Sequence, residues 1–436
     1  MGDARTRLDV VALNDSSVSR RELLRSLAYS AALFGLPAAA ATEDAPELPG
    51  TALLDGDAER YWSQLRAEQF LMPGKRAFLN TGSLGVAPRP VVEAISDYLQ
   101  QAAALHIAEG YPRWGYETLD EQRTELAVFV GCSKDELAIT HNATEAMSII
   151  GGGMPLPRGA EVLITDQEHP SGRGPWEVRA ARGELTLRKV EIPLPPESPG
   201  QLVDVIVSAI GPRTRVLSFS GITSPTGLLM PIREICRAAR DKGVITVVDG
   251  AHMTGQVPYR IDDMDCDYFA GSPHKWLFAP AGSGLMYIRE DRLDQHYPVI
   301  ATAGWDDKSM KAGRFMRFGT NNRAIIEGFM AGLHFAHAIG IERIYARIHE
   351  LAMGTRARAS ELPYVDMLTP EDDGMYGSLV TMRLNLDESR LQRLWQLCDE
   401  RLIWTTGSPQ LRISTHIHTR RADLDLFFET LAEAAA

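Results

Sequence analysis

Cysteine is scarce in this chain: four among 436 residues, Cys132, Cys236, Cys266 and Cys398, widely scattered and never as CxxC. That usage gives no support to a zinc site or a disulfide framework. Positive charge is also in deficit, with 45 Lys and Arg against 57 Asp and Glu and a net charge of −12. Such a balance argues against nucleic acid or an anionic membrane surface as the main partner. There is no internal repeat, and no low-complexity block beyond a short alanine run. No apolar run is long enough to cross a bilayer core of ~30 Å comfortably as a helix. What remains is ordinary for a soluble globular protein: 44% hydrophobic and 23% charged residues. The length suffices for a large core and about two or three domains.

The N-terminus has its own character. Ser19-Arg20-Arg21-Glu22-Leu23-Leu24-Arg25 precedes an apolar run from Ser26 to Ala41, which closes in Pro37-Ala38-Ala39-Ala40-Ala41 before acidic Glu43 and Asp44. A basic region, an apolar region and a small-residue end match a secretory signal peptide. The arginine pair resembles a twin-arginine (Tat) signal. The alternative is an amphipathic surface helix from Ser19, although the run from Ser26 has almost no polar face to offer water. The expectation is a signal over 1–41, export by the Tat machinery, and a periplasmic mature chain beginning near Ala41 or Thr42.

Beyond a linker and a helix over Ala58–Phe70, Phe78 to Gly85 reads as a strand and a Gly-rich turn, and Pro90–Leu105 as a helix. Short apolar β-rich runs then recur at Glu136–Thr140, Glu161–Thr165, Thr186–Ile192, Arg215–Phe219, Val244–Asp249, Tyr268–Ala270 and Gly284–Ile288. Helical patterns lie between several of them: Glu145–Gly151, Pro175–Arg182, Leu202–Ile210 and Pro231–Lys242. This alternation predicts an α/β domain with a mostly parallel seven-stranded sheet flanked by helices. From Asn321 the chain reads as helical, with later strands at Leu379–Leu384 and Gln410–Ser414, which predicts a smaller α+β domain. The expected division is 42–85 as a segment joining the small domain, 86–320 as the large domain, and 321–436 as the small one.

Ligands in such sheets bind at the carboxyl ends of the strands. Two signals fall there. Val247-Val248-Asp249-Gly250-Ala251-His252 ends a strand in an acid, and Ser272-Pro273-His274-Lys275-Trp276 follows the next strand. Separately, a lysine is usually a solvated surface residue and a strand-end Asp a turn former. Together, a lysine and a carboxylate at neighbouring strand ends suit pyridoxal 5′-phosphate (PLP). That cofactor needs a Lys Schiff base at its aldehyde and an acid at its pyridinium nitrogen. His141-Asn142-Ala143-Thr144-Glu145 lies between a strand and a helix, so it is either a generic cap or a phosphate-binding helix start.

These motifs resemble the class V branch of fold-type-I PLP enzymes, over about Phe78 to Thr419. That branch includes class V aminotransferases, cysteine desulfurases, kynureninase and isopenicillin N epimerase-like proteins. The resemblance implies that Lys275 is the Schiff-base lysine, Asp249 the pyridinium partner, and His252 a neighbour of the phenolic oxygen. It implies phosphate contacts from Ala143, Thr144, Ser272 and His274. Thr320, in Gly319-Thr320, is implied to reach the phosphate of the neighbouring subunit, hence a homodimer. His169, in Glu168-His169-Pro170-Ser171, is implied to stack on the cofactor ring and assist proton transfer. Arg412, in Leu411-Arg412-Ile413-Ser414, is implied to grip a substrate carboxylate, with Asn80 beside the substrate. Thr223-Ser224-Pro225-Thr226-Gly227 resembles the epimerase-like members in particular.

Cysteine desulfurases carry a nucleophilic Cys shortly before that Arg motif, and Trp404 to Gln410 has none. The expectation is therefore an enzyme acting at the α-carbon of an amino acid or peptide-like small molecule, a transaminase or epimerase and not a cysteine desulfurase. A PLP-dependent lyase or peptide-siderophore tailoring enzyme is the runner-up. A PLP-fold protein that binds without turnover is the alternative of another class. His416 and His418 have no acidic or Cys partner nearby in sequence, and no metal site is expected.

Overall fold

The computed structural model describes residues 48–105, 119–407 and 410–436. The signal-like segment 1–41 lies outside the described residues. The described residues contain twelve strands: β1 (Ala77–Phe78), β2 (Leu137–Thr140), β3 (Ala160–Thr165), β4 (Leu185–Val190), β5 (Thr214–Ser220), β6 (Ile245–Gly250), β7 (Tyr268–Gly271), β8 (Gly284–Ile288), β9 (Val365–Met367), β10 (Leu379–Leu384), β11 (Ile403–Trp404) and β12 (Gln410–Ser414).

Seven of them form the large sheet in the order β2-β8-β7-β6-β5-β3-β4. Strands β3 to β7 run parallel, and β8 is antiparallel to both its neighbours. The apolar runs that suggested strands are buried along their full length in β2, β3, β7 and β8. Helices cover both faces of a sheet with such strands. Only the edge strand β4 alternates partly toward solvent.

The carboxyl ends of β3, β5, β6 and β7 carry the turns to Glu168-His169, Ser224, Asp249 and Ser272-Lys275. Register aligns Ser220 with Asp249 and Asp249 with Ala270, so these turns stand in a row. The sequence pattern places the seven strands of the large sheet, β10 and β12 to within two residues, and gives no sign of β9 or β11. The helix expected over Pro175–Arg182 instead spans Pro170–Ala181, because His169 caps it and Pro170 occupies its first turn. Helix Glu388–Glu400 ends before Leu402, which adopts a left-handed φ of 57°.

The smaller sheet has the order β12-β10-β9, all antiparallel. Strand β1 pairs with β11 in parallel, and Asn80 bridges Ser414. Ala77 and Leu79 therefore bury in the smaller hydrophobic cluster with Val380, Ile413 and Phe427. The preceding helix, Ala58–Gln69, packs elsewhere: Tyr61, Trp62 and Leu65 join the larger cluster. Helix Arg323–Ile339 also buries Phe329, Leu333 and Phe335 in that larger cluster. The chain beyond 321 thus begins by packing on the large core before it builds the small sheet.

Candidate active site

Lys275 sits in the single helical turn Pro273–Trp276 at the end of β7. Its Nζ lies 3.1 Å from His252 Nε2. Loss of water on burial brings its pKa down to about 8, against the pull of Asp249 and with help from Arg412. The turn after β1 lies directly on this loop: Gly85 N–H donates to the His274 carbonyl at 2.9 Å. A Cβ at Gly85 would stand 2.2 Å from the Lys275 carbonyl oxygen, so only glycine allows this approach.

Asp249 ends β6 and is buried. Its Oδ1 accepts the Ala251 N–H at 3.0 Å, and no cation is hydrogen-bonded to it among the described residues. Burial pushes its carboxyl up; the Ala251 hydrogen bond, Lys275 and His169 oppose this. Helix Pro170–Ala181 begins against Asp249, with Gly172 so close that an added Cβ would lie 2.7 Å from Oδ2. His169 caps that helix, its Nδ1 accepting the Ser171 N–H at 3.2 Å. The neutral ring therefore carries its proton on Nε2. Burial and then Lys275 lower the imidazole pKa, partly offset by Asp249.

The turns after β2 and β7 meet. Ala143 N–H donates to Ser272 Oγ at 3.1 Å across a separation of 129 positions. Asn142 caps helix Ala143–Gly153 by accepting the Glu145 N–H at 2.8 Å. Thr144 at this helix start is exposed. His274 Nδ1–H donates to the Ser283 carbonyl at 2.8 Å. Thr320 is exposed, in the segment after Gly319, and no hydrogen bond joins it to Lys275, Asp249 or Arg412.

Arg412 extends from β12 toward the turns after β1 and β5. Its Nη1 donates to the Ser224 carbonyl at 3.0 Å and Ser224 Oγ at 3.1 Å. Its Nη2 donates to Asn80 Oδ1 at 3.3 Å and Ser83 Oγ at 3.0 Å. Every partner is neutral, and the buried Nε has none. Burial lowers the guanidinium pKa. A cation surrounded by neutral acceptors is a receptor for an anion of matching, two-oxygen geometry.

Three contributors were not singled out from the sequence. Glu168 is buried between Thr165 Oγ1 at 2.5 Å and Ser220 Oγ at 2.7 Å. Burial raises its carboxyl pKa to about 7, the hydroxyl hydrogen bonds oppose the rise, and nearby Asp249 adds to it. Trp276 Nε1–H donates to His252 Nδ1 at 3.4 Å. Ser224 receives Arg412. Each stood beside a motif residue, so adjacency was the available signal. His416 and His418 are buried with rings stacked at 5.4 Å and 16°, and His416 Nε2–H donates to the Trp276 carbonyl at 3.0 Å.

Comparison with known proteins places this arrangement. The family described as Aminotransferase class-V is matched over residues 79–421. An isopenicillin N epimerase of Amycolatopsis lactamdurans is 32% identical over 85% of this chain and 98% of its own. A probable cysteine desulfurase of Methanothermobacter thermautotrophicus is 25% identical over 82% of this chain and 94% of its own. Among solved structures, a C-DES variant with glycine covalently linked to its PLP cofactor superposes with a TM-score of 0.70 at 24% identity, over 83% of this chain and 96% of that one. The fold is thus that of the fold-type-I PLP enzymes.

These findings correct one expectation. The missing Cys between Trp404 and Gln410 was taken to exclude a cysteine desulfurase. Proteins named as cysteine desulfurases or probable cysteine desulfurases match 63% to 82% of this chain, so the exclusion does not hold. It rested on one short segment, of which Ser408 and Pro409 lie outside the described residues.

Proposed function

The chain belongs to the class V aminotransferase family, and from that premise we propose a PLP enzyme that works at the α-carbon of an amino acid or amino-acid moiety, with epimerase-like or transaminase chemistry. The observation that carries this reading is the meeting of Lys275, Asp249 and Arg412, where among the described residues no cation is hydrogen-bonded to Asp249 and no anion to Arg412. Lys275 offers an amine whose pKa burial brings down to about 8. Asp249 is a buried carboxylate without a bonded cation. Arg412 is a half-buried cation without an anion. This donor set fits PLP and an α-carboxylate.

Lys275 would hold the cofactor's aldehyde carbon and Asp249 its pyridinium N–H. Ser272, His274, Thr144 and the N–H of Ala143 would hold the phosphate at the start of helix Ala143–Gly153. When bound, PLP takes up the electron pair left by bond cleavage at the substrate α-carbon. Lys275 Nζ then holds and returns the proton of that carbon. His169 offers its Nε2–H and a ring face beside the site, and His252 a second hydrogen bond. Arg412, steadied by Asn80, Ser83 and Ser224, orients the substrate through its carboxylate. The similarity to an isopenicillin N epimerase, 32% identical over 85% of this chain, favours proton return to the α-carbon.

Exposed Tyr297, Val299, Ile300 and Trp305 form an apolar stretch preceding Thr320. It supports a homodimer in which Thr320 serves the partner's phosphate site. Arg20-Arg21 and the following apolar run support Tat export to the periplasm, with a substrate found outside the cytoplasm. The test of the catalytic reading is the visible spectrum of purified protein. Addition of amino acids should shift the cofactor band, and chiral product analysis should show α-proton exchange. A spectrum indifferent to every amino acid and peptide tried would refute turnover.

A further inference from the structure

We infer that Trp276 is a positioning residue: it fixes His252 as a hydrogen-bond donor toward Lys275. The reasoning uses donors and acceptors only. An indole Nε1–H donates and never accepts. It lies 3.4 Å from His252 Nδ1. That nitrogen must therefore present its lone pair, and the single proton of the neutral ring sits on Nε2. Nε2 is 3.1 Å from Lys275 Nζ. An N–H facing an amine at that distance bonds only to the amine's lone pair, so this tautomer selects the neutral, nucleophilic lysine over the ammonium ion. With Nδ1 protonated instead, Nε2 would accept from the ammonium and favour the charged form.

The indole is itself held in place. Trp276 is fully buried. Its ring stacks on His416 at 5.9 Å and 23°, and His416 Nε2–H donates to its carbonyl. His416 Nδ1 accepts the Ile417 N–H at 2.9 Å, so that ring is neutral as well. His252 is buried and kept uncharged, first by loss of water and then by Lys275 and Arg412. The charged and titratable groups around Lys275 are Asp249 from β6, Arg412 from β12, His169 ahead of its helix, and His252 and His274. Among these, His252 is the group whose hydrogen-bond polarity Trp276 sets.

The functional weight of this inference rests on the reading of Lys275 as the cofactor-bearing lysine. Full-length protein freed of cofactor is labelled with limiting acetic anhydride across a pH series, and the Lys275 peptide is followed by mass spectrometry. In Trp276→Phe the midpoint should move to higher pH, and labelling near neutrality should slow about threefold, the change produced by half a pK unit. In His252→Gln, whose amide donates independently of the indole, adding Trp276→Phe should leave the midpoint unmoved. An equal shift in both backgrounds, or none in the wild-type background, overturns the proposal. Should Trp276→Phe not fold, 15N spectra of the histidines in wild type against His252→Gln decide: the lost signals should be those of an Nε2–H tautomer, and an Nδ1–H tautomer refutes it. Borohydride fixing the cofactor at another lysine would instead defeat the reading of Lys275, whatever the labelling shows.

Discussion

Arg412 Nη2 lies 3.3 Å from Asn80 Oδ1, although 332 positions of chain separate the two residues. The bridge between Asn80 and Ser414 holds their backbones side by side, which brings the turn after β1 onto strand β12 beside Arg412. Replacing Arg412 by Ala should weaken substrates with a free α-carboxylate by about 1.5–3 kcal/mol, a loss of ~10- to 100-fold in kcat/KM. Lysine should restore only part, because it lacks the planar fork. Steady-state kinetics check this. Unchanged kinetics in Arg412→Ala would point to an amidated or peptide-linked substrate.

Lys275→Ala should leave no borohydride-stable link to the cofactor, with noncovalent binding retained through Asp249 and the phosphate contacts. Loss of its proton transfer should cost about 10²–10⁴-fold in kcat. Mass spectrometry of the reduced, digested protein reads the first effect and stopped assays the second. A reducible link persisting at another lysine would reassign the site.

The large sheet was legible because most of its strands are buried along their length and read as apolar runs between helices, the edge strand β4 excepted. The neighbouring positions of Asp249 and Lys275 were legible because each lies in a short, distinctive string at or just after the end of a strand. The two-residue strand β11 carries no such pattern, since it is specified by its partner β1 across the fold. The same holds for Glu168, Trp276 and Ser224, whose roles depend on groups that approach from other strands. The helix beyond Asn322 went to the larger core because Phe329 and Leu333 find their apolar surface there.

Glu168 gives stability a pH dependence of known sign. Its folded-state pKa, about 7, is above the ordinary 4.5. The stability it contributes is fully present below pH 4.5 and is lost as pH rises toward and through 7. Glu168→Gln, uncharged at every pH, should therefore gain on the wild type as pH rises across that window, by roughly 1–3 kcal/mol. Urea melts of cofactor-free protein at a series of pH values provide the check. A difference between the two proteins that does not change with pH would show that Glu168 ionises normally.

The exposed stretch with Ile300 and Trp305 should be covered by a second copy. Sedimentation should give twice the chain mass of 48.0 kDa, less the residues removed on export. A double change of Ile300→Glu and Trp305→Glu should yield monomers with weakened cofactor binding. Thr320→Ala should leave the dimer intact and weaken PLP by about 1.5–3 kcal/mol, as for a lost hydrogen bond to a charged group. A fully active monomer would refute the shared site.

Location follows from the order of folding and transport. A cofactor made in the cytoplasm is most simply carried out by a protein already folded around it. The Tat route moves folded proteins, and Arg20-Arg21 stands ahead of an apolar run of suitable length. Wild-type protein should therefore reach the periplasm and begin just after the alanine run, near Thr42. Changing both arginines to lysine should leave it in the cytoplasm, with its N-terminus intact and its spectrum unaltered. Fractionation and N-terminal sequencing of the two proteins decide the matter. A wild-type chain that keeps Met1 and stays wholly cytoplasmic would overturn export, and would move the search for the substrate to the amino acids of the cytoplasm.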